Sequence, residues 1–232
     1  MIFEGALATK SAISSKKRHI EAIYIAKDKK SRDVDYILKI AAKAQIKVIR
    51  EDREKIDELA SGKTHGGIIA FVSAREYQKI DLRKDTYFMI DGIEDPFNLG
   101  YIFRTLKAFG YDHVLMNKRD LSNMEETIIK SSAGAFDMLD ITMSDDIIKD
   151  LDLLAKDHHL IAMSRTDKAK DLFRYDAPKK KVIILGGEKR GINKDVLHMC
   201  DDEVFIPYHS DFRPALNASS ALAVICTALR MR

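Results

Sequence analysis

A turn at residues 186–191 combines backbone freedom with charge. It reads Gly-Gly-Glu-Lys-Arg-Gly and follows four aliphatic residues, 182–185, which predict a buried strand. Glycines let a backbone turn sharply and approach a ligand closely, and ligands of alternating strand and helix proteins lie beyond the carboxyl ends of the strands. The turn therefore predicts a ligand site, although a glycine-rich turn without a ligand would give the same pattern.

Two further turns follow predicted strands and carry polar residues. At residues 95–104 an Asp-Pro pair leads into a helix that separates Asn98 from Arg104 by about a turn and a half, within reach of the long arginine side chain. At residues 206–217, Leu216 and Asn217 open the last helix, whose first N–H groups suit a small or anionic ligand. For Asn98, an ordinary helix cap is the alternative interpretation.

Several familiar catalytic motifs are missing from the sequence. It contains no G-x-G-x-x-G, no G-x-x-x-x-G-K-[ST], no G-x-S-x-G and no H-E-x-x-H, which disfavours a nucleotide-binding oxidoreductase and nucleoside-triphosphate chemistry. The two cysteines, Cys200 and Cys226, lack a paired spacing and are interpreted as core residues. His158 and His159 have no acidic or cysteine partner at ligand spacing, so we expect them at the surface and predict no metal site.

The order of the patterns predicts an α/β fold with a mostly parallel sheet and two domains. We place the boundary near Gln78, which gives domains at residues 1–78 and 79–232, joined by a polar linker or hinge at 73–79. Strands are predicted at residues 20–26, 46–49, 68–72, 87–90, 113–116, 138–141, 160–163, 182–185 and 204–206. The principal helices are predicted at 33–44, from about 98 to 110, at 145–156 and at 217–231, and the almost wholly apolar last helix is expected to be buried against the sheet or a second subunit.

Charge is unevenly distributed along the 232 residues. The net charge is +3, yet residues 1–80 hold 17 Lys and Arg against 11 Asp and Glu. Cation clusters at 16–19 and 27–32 suit a polyanion such as RNA, although a solvated surface would show the same pattern. No window approaches 18 apolar residues and the N-terminus lacks the order of a secretory signal, which predicts a cytoplasmic protein.

Together the three turns resemble the SpoU, or TrmH-like, branch of the SPOUT family of RNA ribose 2′-O-methyltransferases. The family motif N-x-G-x-x-x-R matches residues 98–104, G-x-E-x-x-G matches 186–191, and I-P followed by L-N matches 206–207 and 216–217. The first domain resembles the ribosomal protein L30e-like substrate-binding domain, with the turn and strand from His65 at its end. His65 is expected to shape that turn rather than to touch RNA.

The resemblance implies a trefoil-knotted, parallel-sheet catalytic domain that binds S-adenosyl-L-methionine, needs no metal and works as a homodimer on RNA. It implies a central role for the motif-one arginine, with other motif residues supporting the site and positioning substrate, and it places the cofactor against the motif strands. The implied catalytic residues are Asn98, Arg104, Glu188 and Asn217, and the implied cofactor-binding residues are Leu185, Gly186, Gly187, Ile206, Pro207 and Leu216.

Two departures from the family pattern keep an alternative open. Ala215 stands where relatives have serine before L-N, and residues 208–214 replace the methionine and small residues usual there. The sequence therefore predicts methyl transfer to a ribose 2′-hydroxyl of structured RNA, with ribosomal RNA favoured over transfer RNA. The alternative is a non-catalytic RNA-binding protein that keeps the knotted fold.

Overall fold

The computed structural model describes residues 1–187 and 190–231 and contains two sheets. The first belongs to the N-terminal part of the chain, whose strands run in the spatial order β1-β4-β2-β3, with only the β2–β3 pair parallel. Its elements are β1 (Ile2–Glu4), α1 (Gly5–Ser15), β2 (Ile20–Ala26), α2 (Arg32–Lys43), β3 (Val48–Glu51), α3 (Arg53–Leu59) and β4 (Ile68–Val72).

The second sheet has seven parallel strands in the order β7-β6-β5-β10-β8-β11-β9. From β5 the chain adds β6 and β7 on one side of the sheet, and the later strands β8 to β11 all lie on the other side. The strand order therefore reverses between β5 and β10, and open α/β sheets form a ligand-binding crevice at such a position. The elements are β5 (Thr86–Ile90), α4 (Pro96–Ala108), β6 (His113–Asn117), α5 (Glu125–Ser131), α6 (Ala135–Met138), β7 (Asp140–Ser144), α7 (Ile147–Ala155), β8 (His159–Met163), β9 (Lys170–Asp171), β10 (Lys181–Leu185), α8 (Lys194–His198), β11 (Asp202–Phe205) and α9 (Ala218–Arg230).

Most of the predicted elements are confirmed to within two residues at each end, and one is not. The predicted strand at 138–141 is displaced, because Met138 ends helix α6 and β7 starts at Asp140. The prediction missed β1 and α1, since α1 is built largely of small residues and its buried face includes Thr9 and Ser11. An apolar period cannot reveal such a helix.

Helices α4 and α9 pack together beside the central strands. Gly100 permits the close approach of α4 to its other neighbour, α5, because a Cβ there would lie 1.8 Å from the hydroxyl oxygen of Ser131. The predicted burial of the last helix is confirmed for the side that includes Leu222, Ile225 and Cys226. In the part of the chain that the structure describes, no helix combines the length and apolar character required to cross a bilayer.

Of the three cations at residues 16–18, Lys16 is exposed, but Lys17 and Arg18 do not form the RNA-binding surface that the sequence suggested. The Arg18 side chain is fully buried and its guanidinium donates to the carboxylates of Asp137 and Glu125 in the second unit. Lys17 donates to Asp140 and to the Leu139 carbonyl. These cations hold the two parts of the chain together, which a run of charge in the sequence does not distinguish from an exposed patch.

The segment at 73–79, expected to be a linker or hinge, is held in place by hydrogen bonds to the second unit. Arg75 is buried and donates to the carbonyls of Phe136 and Leu139, and burial lowers the pKa of its guanidinium to about 10, against the raising effect of Asp137. The Gln78 N–H donates to the Ile141 carbonyl at 2.8 Å. The segment therefore carries part of the contact between the two sheets.

Candidate functional site

A pocket of about 420 Å³ opens at the carboxyl ends of β8, β10 and β11. Its size falls within the range of roughly 300–1,000 Å³ that is typical of ligand sites. The walls are mainly aliphatic and glycine residues, with two arginines, a serine and a tyrosine at the polar positions. The lining residues are Met163, Ser164, Arg165, Leu185, Gly186, Gly187, Arg190, Gly191, Ile192, Leu197, Val204, Phe205, Ile206, Tyr208, Ala215, Leu216, Ala218, Ala221 and Ile225.

Two glycines allow the turn after β10 to fold back on itself. A Cβ on Gly186 would lie 2.4 Å from the backbone of Gly191 and Ile192, and one on Gly187 would lie 2.4 Å from the carbonyl oxygen of Gly92. Such contacts are shorter than any side chain tolerates against backbone. The Gly191 N–H then donates to the Gly187 carbonyl at 2.9 Å, which closes the turn into a small loop.

Asp91 fastens this loop to the end of β5. Its N–H donates to the Leu185 carbonyl at 2.8 Å, and its carboxylate accepts from the N–H of Asn193 at 2.9 Å and from the Asn117 amide at 3.3 Å. Asp91 was not predicted as a site residue. The signal available in the sequence was a carboxylate directly after a buried strand and directly before Gly92.

Five of the six predicted cofactor-binding residues line the pocket. They are Leu185, Gly186, Gly187, Ile206 and Leu216, whereas Pro207 lies outside the lining. The predicted catalytic residue Glu188 lies outside the described residues. The structure thus brings together the second and third sequence motifs around one cavity, as the carboxyl ends of adjacent parallel strands require.

Asn98 and Arg104 lie on α4, outside the pocket lining. Asp95 caps this helix by accepting from the Asn98 N–H at 2.7 Å, so the interpretation of Asn98 as the helix cap is wrong. Arg104 is exposed and has no ion-pair or hydrogen-bond partner among the described residues. Phe97 and Tyr101, which are 54% and 46% exposed, share its helix face at spacings of seven and three residues.

Asn217 is the N-cap of α9, as the sequence predicted for the helix start. Its side-chain oxygen accepts from the Ser220 N–H at 2.8 Å and from the Ser219 hydroxyl at 3.0 Å. Asn217 is exposed and lies outside the pocket lining, although its neighbours Leu216 and Ala218 belong to that lining.

Arg165 and Tyr208 are lining residues that the sequence analysis did not select. The guanidinium of Arg165 stacks on the Tyr208 ring at 4.4 Å from its centroid. The Tyr208 hydroxyl accepts from the Leu216 N–H at 2.9 Å, and Arg165 Nη1 donates to the Arg213 carbonyl at 3.0 Å. The loop at 206–217, where the sequence departs from the family pattern, is therefore anchored by these two side chains.

The histidines and cysteines have structural positions. His158, expected at the surface, is buried with Nε2 2.6 Å from the Lys84 carbonyl, and His65 shapes its turn as predicted by accepting from the Gly67 N–H. Burial raises the pKa of both cysteine thiols to about 12, so neither Cys200 nor Cys226 is a thiolate at neutral pH. Residues 1–187 and 190–231 hold no cluster of three or more potential metal ligands.

Comparison with known families covers nearly the whole chain. The model of the SpoU rRNA Methylase family matches residues 85–227, and that of RNA 2′-O ribose methyltransferase substrate binding matches residues 2–78. The chain is 30% identical over 234 residues to a Staphylococcus haemolyticus protein assigned to the TrmH family of tRNA/rRNA methyltransferases, covering 97% of this chain and 93% of the relative. A Staphylococcus epidermidis relative is 31% identical over the same shares.

Solved structures share the fold at low sequence identity. The SpoU methyltransferase AviRb from Streptomyces viridochromogenes, in complex with AdoMet, superposes with a TM-score of 0.80 at 18% identity, covering 100% of this chain and 89% of the other. An AdoMet-bound rRNA methyltransferase from Sinorhizobium meliloti gives 0.77 at 17% identity, covering 99% and 86%. With these matches, the chain belongs to the SpoU/TrmH branch of the SPOUT RNA methyltransferases, which use S-adenosylmethionine as methyl donor.

Proposed function

We propose that the protein transfers the methyl group of S-adenosylmethionine to a ribose 2′-hydroxyl of structured ribosomal RNA. The observation that carries the proposal is the glycine-lined pocket, in which the second and third motifs meet beside the helix that bears the first. The match of residues 2–78 to the substrate-binding family of RNA 2′-O ribose methyltransferases supports the ribose as target, and the name of the family matched at 85–227 favours ribosomal RNA.

We propose that this pocket holds the cofactor, because its walls fit the group. A sulfonium nucleoside has a large apolar and aromatic surface, and the lining offers aliphatic walls together with the backbone of Gly186 and Gly187, where no Cβ fits. Ile206 and Leu216 would contribute further wall, with Leu185 at the strand end. Bound there, the cofactor supplies a methyl group that the positive sulfur already activates.

The placement predicts the effect of a single methyl group at the turn. Gly186→Ala is expected to weaken binding of S-adenosylhomocysteine at least tenfold, because the added Cβ would meet the Gly191 and Ile192 backbone at 2.4 Å and force the turn apart. Isothermal calorimetry measures the affinity. Gly62→Ala is the matched control, since a Cβ there meets only the flexible carboxylate of Glu4, at 3.1 Å. Equal affinities of the two variants for S-adenosylhomocysteine would show that the cofactor does not bind in this pocket.

The chain offers residues for ribose chemistry rather than for covalent attack on a base. Neither cysteine is available as a thiolate nucleophile, because burial raises both thiol pKa values to about 12. Arg104 presents a guanidinium that has no ion-pair partner in the described part of the chain. A guanidinium binds phosphate bidentately, so Arg104 could hold the nucleotide whose hydroxyl reacts. We propose that Asn98, Glu188 and Asn217 support and position this substrate.

We propose that two copies of the chain associate through the α4 face that bears Phe97, Tyr101 and Arg104. Two large aromatic side chains about half exposed on one helix are a typical sign of an interface. Arg104 points outward with them and does not line its own pocket, so a homodimer would let it act at the pocket of the partner subunit.

We propose that RNA binds the N-terminal unit at the cations between β2 and α2. Lys30 and Arg32 are exposed and have no ion-pair partner among the described residues, whereas Lys27 pairs with Asp52. Arg50 donates to the carbonyls of Ala26 and Lys29 and so holds this loop in place. With Lys17 and Arg18 committed to internal pairs, this cluster is the better candidate for phosphate contacts.

Neutralising this cluster is expected to change the salt dependence of RNA binding. Lys30→Gln with Arg32→Gln should lower the slope of log K against log salt by about 1.5, because each phosphate contact contributes roughly 0.7–0.9. Filter binding of ribosomal RNA from 50 to 300 mM salt, about the range over which such contacts are lost, measures the slope. Lys149→Gln with Lys156→Gln on the distant α7 surface is the control of equal charge, and a common slope for both pairs would exclude the cluster.

Three further features remain proposals. The boundary near Gln78 would separate an RNA-binding domain, 1–78, from a catalytic domain, 79–232, and we propose that the enzyme works in the cytoplasm, where ribosomal RNA is modified. We also propose the trefoil knot, which the path of the C-terminal segment supports. That segment leaves β11, the second strand from one edge of the sheet, and ends in α9, which packs on α4 and whose Arg230 donates to the Phe109 and Gly110 carbonyls. A crystal structure with residues 206–217 outside the loop at 186–193 would contradict the knot.

The function is tested by transferring radiolabelled methyl groups into total RNA that lacks the modification. Alkaline hydrolysis then distinguishes the products, because a 2′-O-methyl group protects the adjacent phosphodiester from cleavage. A labelled, resistant dinucleotide in the ribosomal fraction is the expected result. Label in transfer RNA would change the substrate, and label on a base would overturn the ribose as target. If no label entered RNA while cofactor still bound, the non-catalytic RNA-binding alternative would replace this proposal.

A further inference from the structure

Among the residues that the structure describes, the charged side chains of the pocket lining are all of one sign. Arg165 and Arg190 are the charged residues of the described lining, which contains no carboxylate. A pocket for a nucleoside alone has no use for two cations against apolar walls. The lining therefore suits a ligand that carries a negative group at one end.

Arg165 is held in a defined orientation, unlike an ordinary surface cation. One face of its guanidinium stacks on Tyr208 at 4.4 Å, and Nη1 donates to the Arg213 carbonyl at 3.0 Å. Tyr208 is itself fixed, because its hydroxyl accepts from the Leu216 N–H. The remaining N–H groups of Arg165 have no hydrogen-bond acceptor among the described residues, so a preoriented guanidinium edge is free beside the cavity.

We propose that Arg165 binds the α-carboxylate of the methionine end of the cofactor. A planar guanidinium binds a carboxylate through two parallel N–H···O bonds, and an arginine ordered by stacking loses little side-chain entropy when it does so. Arg190, the other cation of the lining, has no stacking or hydrogen-bond partner among the described residues that would orient it. The proposal rests on the proposed placement of the cofactor in this pocket.

Two ligands that differ at the methionine end separate this role from a general effect on the pocket. S-Adenosylhomocysteine carries the carboxylate, whereas 5′-methylthioadenosine lacks the whole amino-acid portion. Arg165→Gln is expected to weaken binding of S-adenosylhomocysteine about tenfold, which is the low end for a charged hydrogen bond and suits an exposed side chain. It should change the affinity for 5′-methylthioadenosine less than twofold. Calorimetry at low and at 0.5 M salt measures both, and Arg165→Lys should retain part of the preference.

Three outcomes would overturn the assignment. Equal weakening of both ligands would make Arg165 a wall residue that supports the loop. If Arg190→Gln, but not Arg165→Gln, selectively lost affinity for S-adenosylhomocysteine, the carboxylate would be assigned to Arg190 instead. Unchanged affinity for both ligands with weaker binding of ribosomal RNA would make Arg165 a phosphate contact.

Failure of the pocket placement would look different from each of these results. In that case Gly186→Ala would leave both ligands bound at wild-type affinity, whatever the Arg165 variants do. If instead Gly186→Ala weakens both ligands while Arg165→Gln weakens neither, the placement stands and the carboxylate assignment fails.

Discussion

Arg104→Ala is expected to lower methyl transfer to RNA by about 10³-fold while leaving the affinity for S-adenosylhomocysteine within twofold of wild type. The loss is at the upper end of the range of about 10²–10³ found when one preorganised hydrogen-bond donor is removed from an active site. Cofactor affinity should survive, because Arg104 lies on the exposed face of α4 and outside the pocket lining. Single-turnover transfer from radiolabelled cofactor and calorimetry measure the two quantities, and unchanged turnover would remove Arg104 from the mechanism.

The guanidinium is better suited to holding the substrate than to removing its proton. It stays protonated in proteins, so a role as general base is demanding, whereas a bidentate grip on the neighbouring phosphate uses its charge and shape. The 2′-hydroxyl proton would then pass to phosphate or to water. Arg104→Lys should recover part of the affinity for RNA but little of the rate, because an ammonium keeps the charge and loses the planar fork.

A mixed dimer tests whether Arg104 serves the pocket of its own chain or that of the partner subunit. Arg104→Ala and Gly186→Val are each expected to be inactive as homodimers. A hybrid carrying one copy of each keeps an intact arginine on one chain and an intact pocket on the other. Sharing across the interface would restore roughly half of the wild-type sites in the hybrid, and action within one chain would restore none. Lys107→Ala on the same helix is the control that should leave transfer unchanged.

The sequence could predict the strands that end at the pocket because their signals are local. Apolar runs of three or four residues, each followed within two positions by glycine or proline, mark β5, β10 and β11 to within two residues. Parallel strands place their carboxyl ends at one edge, so the residues after them had to meet. The position of Arg104 on an outward face also follows from helical periodicity, whereas a partner subunit that it could serve does not.

The residues that shape the third motif could not be predicted, because their partners are distant in sequence. Arg165 becomes a pocket residue only by stacking on Tyr208, 43 positions later. Nor does any local pattern reveal that Asp91 bonds the N–H of Asn193 across the turn. Such contacts depend on which loops the sheet brings together, and the residues around one position in the sequence do not indicate which loops these are.

The cations at 16–18 show the same limit for charge. A run of Lys-Lys-Arg predicts a solvated or RNA-facing surface, since isolated buried cations are costly. Here the acids that compensate Arg18 come from α5 and α6, more than a hundred residues away. The exposed cluster at 27–32, with a similar composition, kept its predicted exposure at Lys30 and Arg32.

Arg18→Met is expected to lower the free energy of unfolding by roughly 3–5 kcal/mol, the usual loss when one member of a buried ion pair is removed. The variant leaves the carboxylate of Asp137 fully buried and that of Glu125 almost fully buried. The remaining cation near Asp137 is Arg75, whose Nη1 lies 3.8 Å from Asp137 Oδ1. Methionine keeps the apolar stem against Phe3, over which the guanidinium lies at 4.7 Å. Urea denaturation followed by circular dichroism measures the change.

Lys27→Met supplies the comparison, because the Lys27–Asp52 pair is exposed on both sides and should contribute little to the free energy of unfolding. If buried charge causes the loss in Arg18→Met, then adding Asp137→Asn and Glu125→Gln should recover part of it, since neutral groups cost less to leave unpaired. A loss that the added changes do not reduce would point to packing around Phe3 instead.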